Sequence, residues 1–101
     1  MTTVRDLALV RAGDKGNTSN IVVVAESDAA YNQLVRTLTE DRMFERFEHL
    51  GADTVERYEI PASHALNFVI RGVLAGGVTT SLRVDSHGKS LSSLVSAISI
   101  A

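Results

Sequence analysis

The sequence contains no cysteine, which removes disulfides and thiolate metal sites and gives no reason to expect an oxidising compartment. It also lacks a long apolar run, because its longest uncharged stretches are interrupted by Gly, Ser or Thr. No membrane span is expected, and no secretory leader follows the opening Met1-Thr2-Thr3-Val4-Arg5-Asp6, so the cytoplasm is the expected location. An excess of positive charge is missing too. Ten Lys and Arg against twelve Asp and Glu give a net charge of −2, which offers a polyanion no general attraction and argues against nucleic acid as a partner. Only two of the ten cations are lysines. Arginine's planar fork suits fixed hydrogen bonds to carboxylate or phosphate, although arginines on helix faces commonly do no more than meet solvent.

Catalytic signatures are equally scarce. His49, His64 and His87 fall on different elements, with no H-E-x-x-H pattern and no closely spaced acidic co-ligands, so neither a metal site nor a cofactor is expected. Ser63 and His64 are merely adjacent, and no G-x-S-x-G elbow exists. That excludes the usual arrangement for a serine nucleophile. No paired acid and base stands out, and the sequence leaves open whether the chain is an enzyme.

What is present suits one globular domain spanning residues 1–101. The chain has 101 residues, of which 45% are apolar, and a domain of this size buries roughly 60–70% of its unfolded surface. Leu7 to Val10 reads as a strand running into Arg11, and the β-branched run Ile21 to Ala25 as a second, interior strand, apolar on both faces. Between them Gly13 to Asn17 reads as a loop, long for a hairpin. Ser27 or Asp28 caps a helix carrying Tyr31, Leu34, Val35 and Leu38, and Thr39 restarts a second carrying Met43, Phe44, Phe47 and Leu50, stopped by Gly51. Val55 to Ile60 reads as a strand with one wet face, ended by Pro61. Ser63 then caps a predicted helix bearing Ala65, Leu66, Val69, Val73 and Leu74, closed by Gly76-Gly77. Thr80, Leu82 and Val84 alternate with Ser81, Arg83 and Asp85 as a fourth strand, and Leu91, Leu94, Val95 and Ile98 mark a last helix. The order predicts an α+β fold with a ferredoxin-like split βαβ arrangement: a mostly antiparallel four-stranded sheet with helices on one face.

The densest polar cluster is Arg11-Ala12-Gly13-Asp14-Lys15-Gly16-Asn17-Thr18-Ser19-Asn20. Cations, glycines and amides this close together can turn backbone N–H groups toward an anion. They can equally form a wide turn held by Asp14 and Asn17 against their own backbone. The loop is no Walker A site, since it lacks that spacing and leads into a strand, and Gly13 to Gly16 joins strands where an RNA-clamping GxxG joins helices. In the predicted third helix, Ser63, Asn67 and Arg71 share one face. Asn67 adjoins the most apolar part of that helix, so its amide calls for a specific partner, either a ligand or a neighbouring strand's backbone. Arg83 and Asp85 reach the glycine loop if their strands are neighbours, where ion pairs of Asp14 or Asp85 with Arg11, Lys15 or Arg83 would be purely structural.

Arg11-Ala-Gly-Asp-Lys-Gly-Asn with Ser19-Asn-Ile, then Ala65-Leu-Asn-Phe-Val, then Gly76-Gly-Val-Thr-Thr-Ser-Leu-Arg-Val-Asp with Gly88-Lys89, together resemble the small ferredoxin-like domain of the acyclic terpene utilisation (AtuA-like) family in its stand-alone form. The resemblance covers nearly the whole chain and points to Arg11, Gly13, Asp14, Lys15, Gly16, Asn17, Asn20, Asn67 and Arg83 as ligand-binding positions, with Gly76, Gly77, Ser81 and Asp85 beside them. It departs from the family pattern at Ala62-Ser63-His64, so no role is carried over to Ser63 or His64. It implies an accessory small subunit of a larger protein of the same family that processes acyl-CoA intermediates, with the glycine loop meeting an anionic small molecule, and a homo-oligomer when isolated. The alternative is a self-contained binding or regulatory module without chemistry.

Overall fold

The computed structural model describes residues 2–15, 18–72 and 89–100, and the side chains at 14, 15, 89 and 90 lie outside the description. A short helix α1 (Val4–Leu7) leads into β1 (Ala8–Lys15), β2 (Thr18–Ala25), α2 (Asp28–Thr37), α3 (Glu40–Phe47), β3 (Thr54–Ile60), β4 (Ala65–Arg71) and α4 (Lys89–Ser96). The four described strands form one antiparallel sheet in the order β1-β2-β4-β3. Because β2 and β3 each run antiparallel to β4, they are parallel to one another with β4 inserted between them. The β2–α2–α3–β3 passage is therefore a split βαβ unit, and the α+β ferredoxin-like expectation holds.

The local signals around the helices act as the sequence implies. The Ser27 hydroxyl accepts from the Ala30 N–H at 3.1 Å, and the Thr39 hydroxyl accepts from the Arg42 N–H at 3.2 Å. Each satisfies an amide that the first turn leaves orphaned. Thr39 therefore starts α3 as a separate helix. Gly51 follows at φ 99°, a left-handed conformation that a side chain disfavours.

Two expectations fail on the element type. Gly13 to Asn17 is no long loop: β1 runs through Lys15 and β2 begins at Thr18, with Lys15 opposite Thr18 in the register. Only residues 16 and 17 join the strands, and Gly16 and Asn17 lie outside the described residues. The predicted helix after Ser63 is the interior strand β4. Pro61–Ser63 form a 3-10 turn, His64 adopts φ 53°, and the chain returns as Ala65–Arg71 with Ile60 opposite Ala65. A short apolar run fits both periods. Leu66, Phe68 and Ile70 alternate with Asn67, Val69 and Arg71, and that alternation fits the slot between β2 and β3. The strand expected at Leu82 to Val84 lies outside the described residues.

Helices pack on one face of the sheet. Ile21 and Val23 of β2 and Leu66, Phe68 and Ile70 of β4 are at most 1% exposed beneath Leu34, Leu38, Met43, Phe47, Leu91 and Val95. Each such burial stabilises the fold by roughly 1.5–3 kcal/mol. β2 is interior, as its two-sided apolar run demands. The two ends of the described chain are tied together: Thr3 bridges Ser99, and the Ile100 N–H donates to the Thr2 carbonyl at 3.0 Å.

Several arginines serve this scaffold. Arg57, on the helix-facing side of β3, donates to the Val35 and Leu38 carbonyls at 2.8 and 3.0 Å, closing the C-terminal end of α2 where carbonyls lack helical partners. Arg42 donates to the Ser99 carbonyl and Arg46 to the Leu94 carbonyl, fastening α3 to the C-terminal segment.

Candidate functional site

The alternation of strand side chains sorts the sheet into two faces, and the register aligns the outer one in rows. The first row is Leu9, Val24, Ala65 and Ile60; the second is Arg11, Val22, Asn67 and Tyr58; the third is Gly13, Asn20, Val69 and Glu56; the fourth is Lys15, Thr18, Arg71 and Thr54. No described helix covers this face. Leu9, Tyr58 and Ile60, which are 58%, 49% and 41% exposed, all lie on it, and Val22, Val24 and Val69 between them are half-buried.

The register gathers the expected binding positions more closely than the sequence implied. Arg11, Gly13, Asn20 and Asn67 share the outer face, and position 15 has the same parity. Asp14 has the opposite parity and stands opposite Ser19, which is fully buried. Gly16, Asn17 and Arg83, with Gly76, Gly77, Ser81 and Asp85, lie outside the described residues. The helical alignment of Ser63, Asn67 and Arg71 does not exist. Asn67 and Arg71 share the outer face through the period of two, while Ser63 sits in the 3-10 turn.

Two polar features of this face are unsatisfied. Arg11 is exposed and has no ion pair or hydrogen bond among the described residues, whereas Arg71 at the far corner donates to the Glu56 carboxylate at 2.6 Å. That carboxylate holds the Arg71 guanidinium above its ordinary pKa. The Asn67 side-chain carbonyl oxygen is buried and receives no hydrogen bond. Buried acceptors without donors are uncommon, and each calls for an explanation. Here the oxygen sits in the middle of the sheet, in the same row as Arg11 and Tyr58.

A second polar group lies where α2 begins. His64 contacts the Asp28 carboxylate through Nε2, and its ring meets the Tyr31 ring edge-on at 5.9 Å between centroids. The Tyr31 hydroxyl is buried with no partner, and burial pushes its pKa up, with the nearby Glu59 charge acting in the same direction. This group belongs to the opposite side of the sheet from the Arg11 row. Among the described residues no group of His, Cys, Asp and Glu could hold a metal ion, and no helix is long and apolar enough to cross a membrane.

Sequence reasoning did not single out Leu9, Tyr58 and Ile60. For Tyr58 and Ile60 the signal was the alternation of Glu56, Tyr58 and Ile60 against Arg57 and Glu59, hidden because charges fall on both faces of β3 and Arg57 is spent inside. Neither curated proteins nor solved structures match the chain. A family model, the AtuA ferredoxin-like domain, matches residues 2–101. With a split βαβ sheet in place and the match extending over nearly every residue, the chain belongs to the AtuA ferredoxin-like domain family.

Proposed function

We propose that the chain is the small accessory subunit of a larger protein of its family, docking through the outer face of its sheet and contributing Arg11 to an anionic ligand such as an acyl-CoA. The observation that carries this reading is the open face itself. Six apolar residues, Leu9, Val22, Val24, Val69, Tyr58 and Ile60, share this face with an arginine that is unpaired among the described residues and an amide oxygen that lacks a donor there. A contiguous apolar patch rimmed by polar groups suits a protein interface, and Tyr and Arg are the residues most enriched where interface energy concentrates. The Arg11 guanidinium supplies a fixed fork for a carboxylate or phosphate. That β1 extends to Lys15 and β2 begins at Thr18 supports giving the anion-binding role to side chains on the strands. Asn20 lies beside Arg11 on the same face, as does position Lys15.

A second reading, a self-contained small-molecule-binding module, draws on the Asn67 oxygen, because a ligand's own donor would satisfy it without a protein partner. The experiment is co-expression with the larger family protein followed by affinity capture and calorimetry. Tyr58→Ala is expected to weaken association about tenfold or more, and Arg11→Ala to weaken acyl-CoA binding to the assembled pair by a similar factor. Acyl-CoA binding to the isolated chain at full affinity would favour the second reading. Association untouched by Tyr58→Ala would remove the outer face from the interface.

A further inference from the structure

Among the described residues β3 pairs with β4 alone. In such a strand one residue exchanges hydrogen bonds with its neighbour strand and the next turns its backbone groups away. The Arg57 N–H donates to the Glu40 carboxylate of α3 at 2.7 Å, so Val55, Arg57 and Glu59 are the residues that turn outward, with Arg57 in the middle. An outward row of backbone groups left open is a template for another strand.

Charge does little to guard this row. Glu59 pairs with the Arg57 guanidinium at 3.1 Å and Glu56 with Arg71 at 2.6 Å, so the charges of β3 are balanced within the chain and offer an incoming strand little repulsion. The apolar side chains favour addition, because Tyr58 and Ile60 stay exposed on this strand. Glu40 stands in the way. Its carboxylate occupies the central outward amide, the donor that an added strand needs, and that donor cannot serve a second strand at the same time.

The position of Glu40 is fixed from two sides. The Thr39 hydroxyl accepts from the Arg42 N–H, which sets Glu40 as the first residue of α3. The Arg57 guanidinium donates to the Val35 and Leu38 carbonyls and holds the end of α2 just before it. Arg57 thus grips the α2–α3 junction with its side chain, and the junction grips the Arg57 backbone through Glu40. We propose that Glu40 is an autoinhibitory plug: by occupying the Arg57 N–H it keeps the β3 edge from pairing with the β3 edge of a second copy of the chain. The plug acts on the strand's backbone and does not rest on docking through the outer face.

Sedimentation velocity over a concentration series, with exchange of the Arg57 amide hydrogen followed by NMR at low concentration, tests the plug. Glu40→Ala is expected to speed that exchange about tenfold or more and to raise the self-association constant above wild type by a similar factor. Asp41→Ala is the control. Asp41 is exposed and makes no hydrogen bond or ion pair among the described residues, so its replacement removes the same charge and leaves the plug in place. Its association is expected to match wild type. Should Glu40→Ala fail to fold by circular dichroism, Glu40→Asp, which keeps the charge and draws the carboxylate back by a methylene, decides by the same two measurements. A Glu40 variant that associates no more than wild type overturns the proposal. So does Asp41→Ala associating as much as the Glu40 variant, which would trace the effect to net charge.

Discussion

The two faces of this sheet are built from similar residues and meet different fates. On the inner face Ile21, Val23, Leu66, Phe68 and Ile70 vanish beneath helices. On the outer face Val22, Val24, Val69, Leu9, Tyr58 and Ile60 face no described helix, and three of them are more than 40% exposed. Strands that are apolar on both sides ordinarily sit in sheets covered on both sides. The inner face has spent its apolar surface on the chain's own stability; the outer face retains surface that association can bury. The arginines follow the same division. Arg57, Arg42 and Arg46 on the helix side close backbone carbonyls, while on the outer side Arg71 pairs with Glu56 and Arg11 is left unpaired among the described residues.

The largest expected effect tests whether stability resides on one face. Phe68→Ala, at full burial on β4, is expected to cost about 3–5 kcal/mol by urea denaturation of the isolated chain. Tyr58→Ala, one strand away on the other face, is expected to cost less than about 1 kcal/mol in the same measurement, since an exposed residue leaves no cavity. Equal losses would break the distinction between the faces.

A smaller effect separates structural arginines from the unpaired one. Arg57→Ala removes the donors to the Val35 and Leu38 carbonyls from a side chain only 17% exposed. A loss of about 1.5–3 kcal/mol is expected, because these are hydrogen bonds from a charged group. Arg11→Ala is expected to leave the melting temperature nearly unchanged. A substantial loss there would assign Arg11 to the scaffold and not to a binding face.

Tyr31→Phe sharpens the account of the inner side in the opposite direction. The Tyr31 hydroxyl is buried without a partner, so removing it relieves a desolvation cost and is expected to stabilise the chain by about 1 kcal/mol, read as a raised urea midpoint. Because burial holds the wild-type hydroxyl above its ordinary 10.0, the unfolded chain ionises first, and the wild type loses further stability as pH rises from 10 through the raised value. The variant should lack that alkaline loss. A destabilised variant would show that the hydroxyl has a partner after all.

The smallest effect is at the N-terminus, away from both faces. Asp6 accepts from the Thr3 N–H at 2.9 Å, and that hydrogen bond holds its carboxyl below the ordinary 3.8. A depressed acid stabilises the fold above its unfolded value and ceases to do so as pH falls through the folded one. Acid titration of Asp6→Asn should therefore converge with wild type below pH 3.8 and differ slightly above it. A difference that grows on acidification would contradict the cap.

The sequence by itself determined the class and the punctuation. Ser27, Thr39 and Gly51 set helix ends through bonds and torsions within a few residues of themselves, and Ile21 to Ala25 announced an interior strand because β-branched residues on both faces have few other places to go. The family motifs likewise lie in the order of residues. The tertiary structure decided what those local rules leave degenerate. Residues 65–71 satisfy a helical stripe and a strand alternation alike, and the slot between β2 and β3 chose the strand, since only there do Leu66, Phe68 and Ile70 reach the core together. The same choice turned Asn67 outward into the row of Arg11 and Tyr58, three residues remote in sequence. No window of the chain contains that row, because cross-strand register is fixed by which faces the helices bury, and that is a property of the whole packed domain.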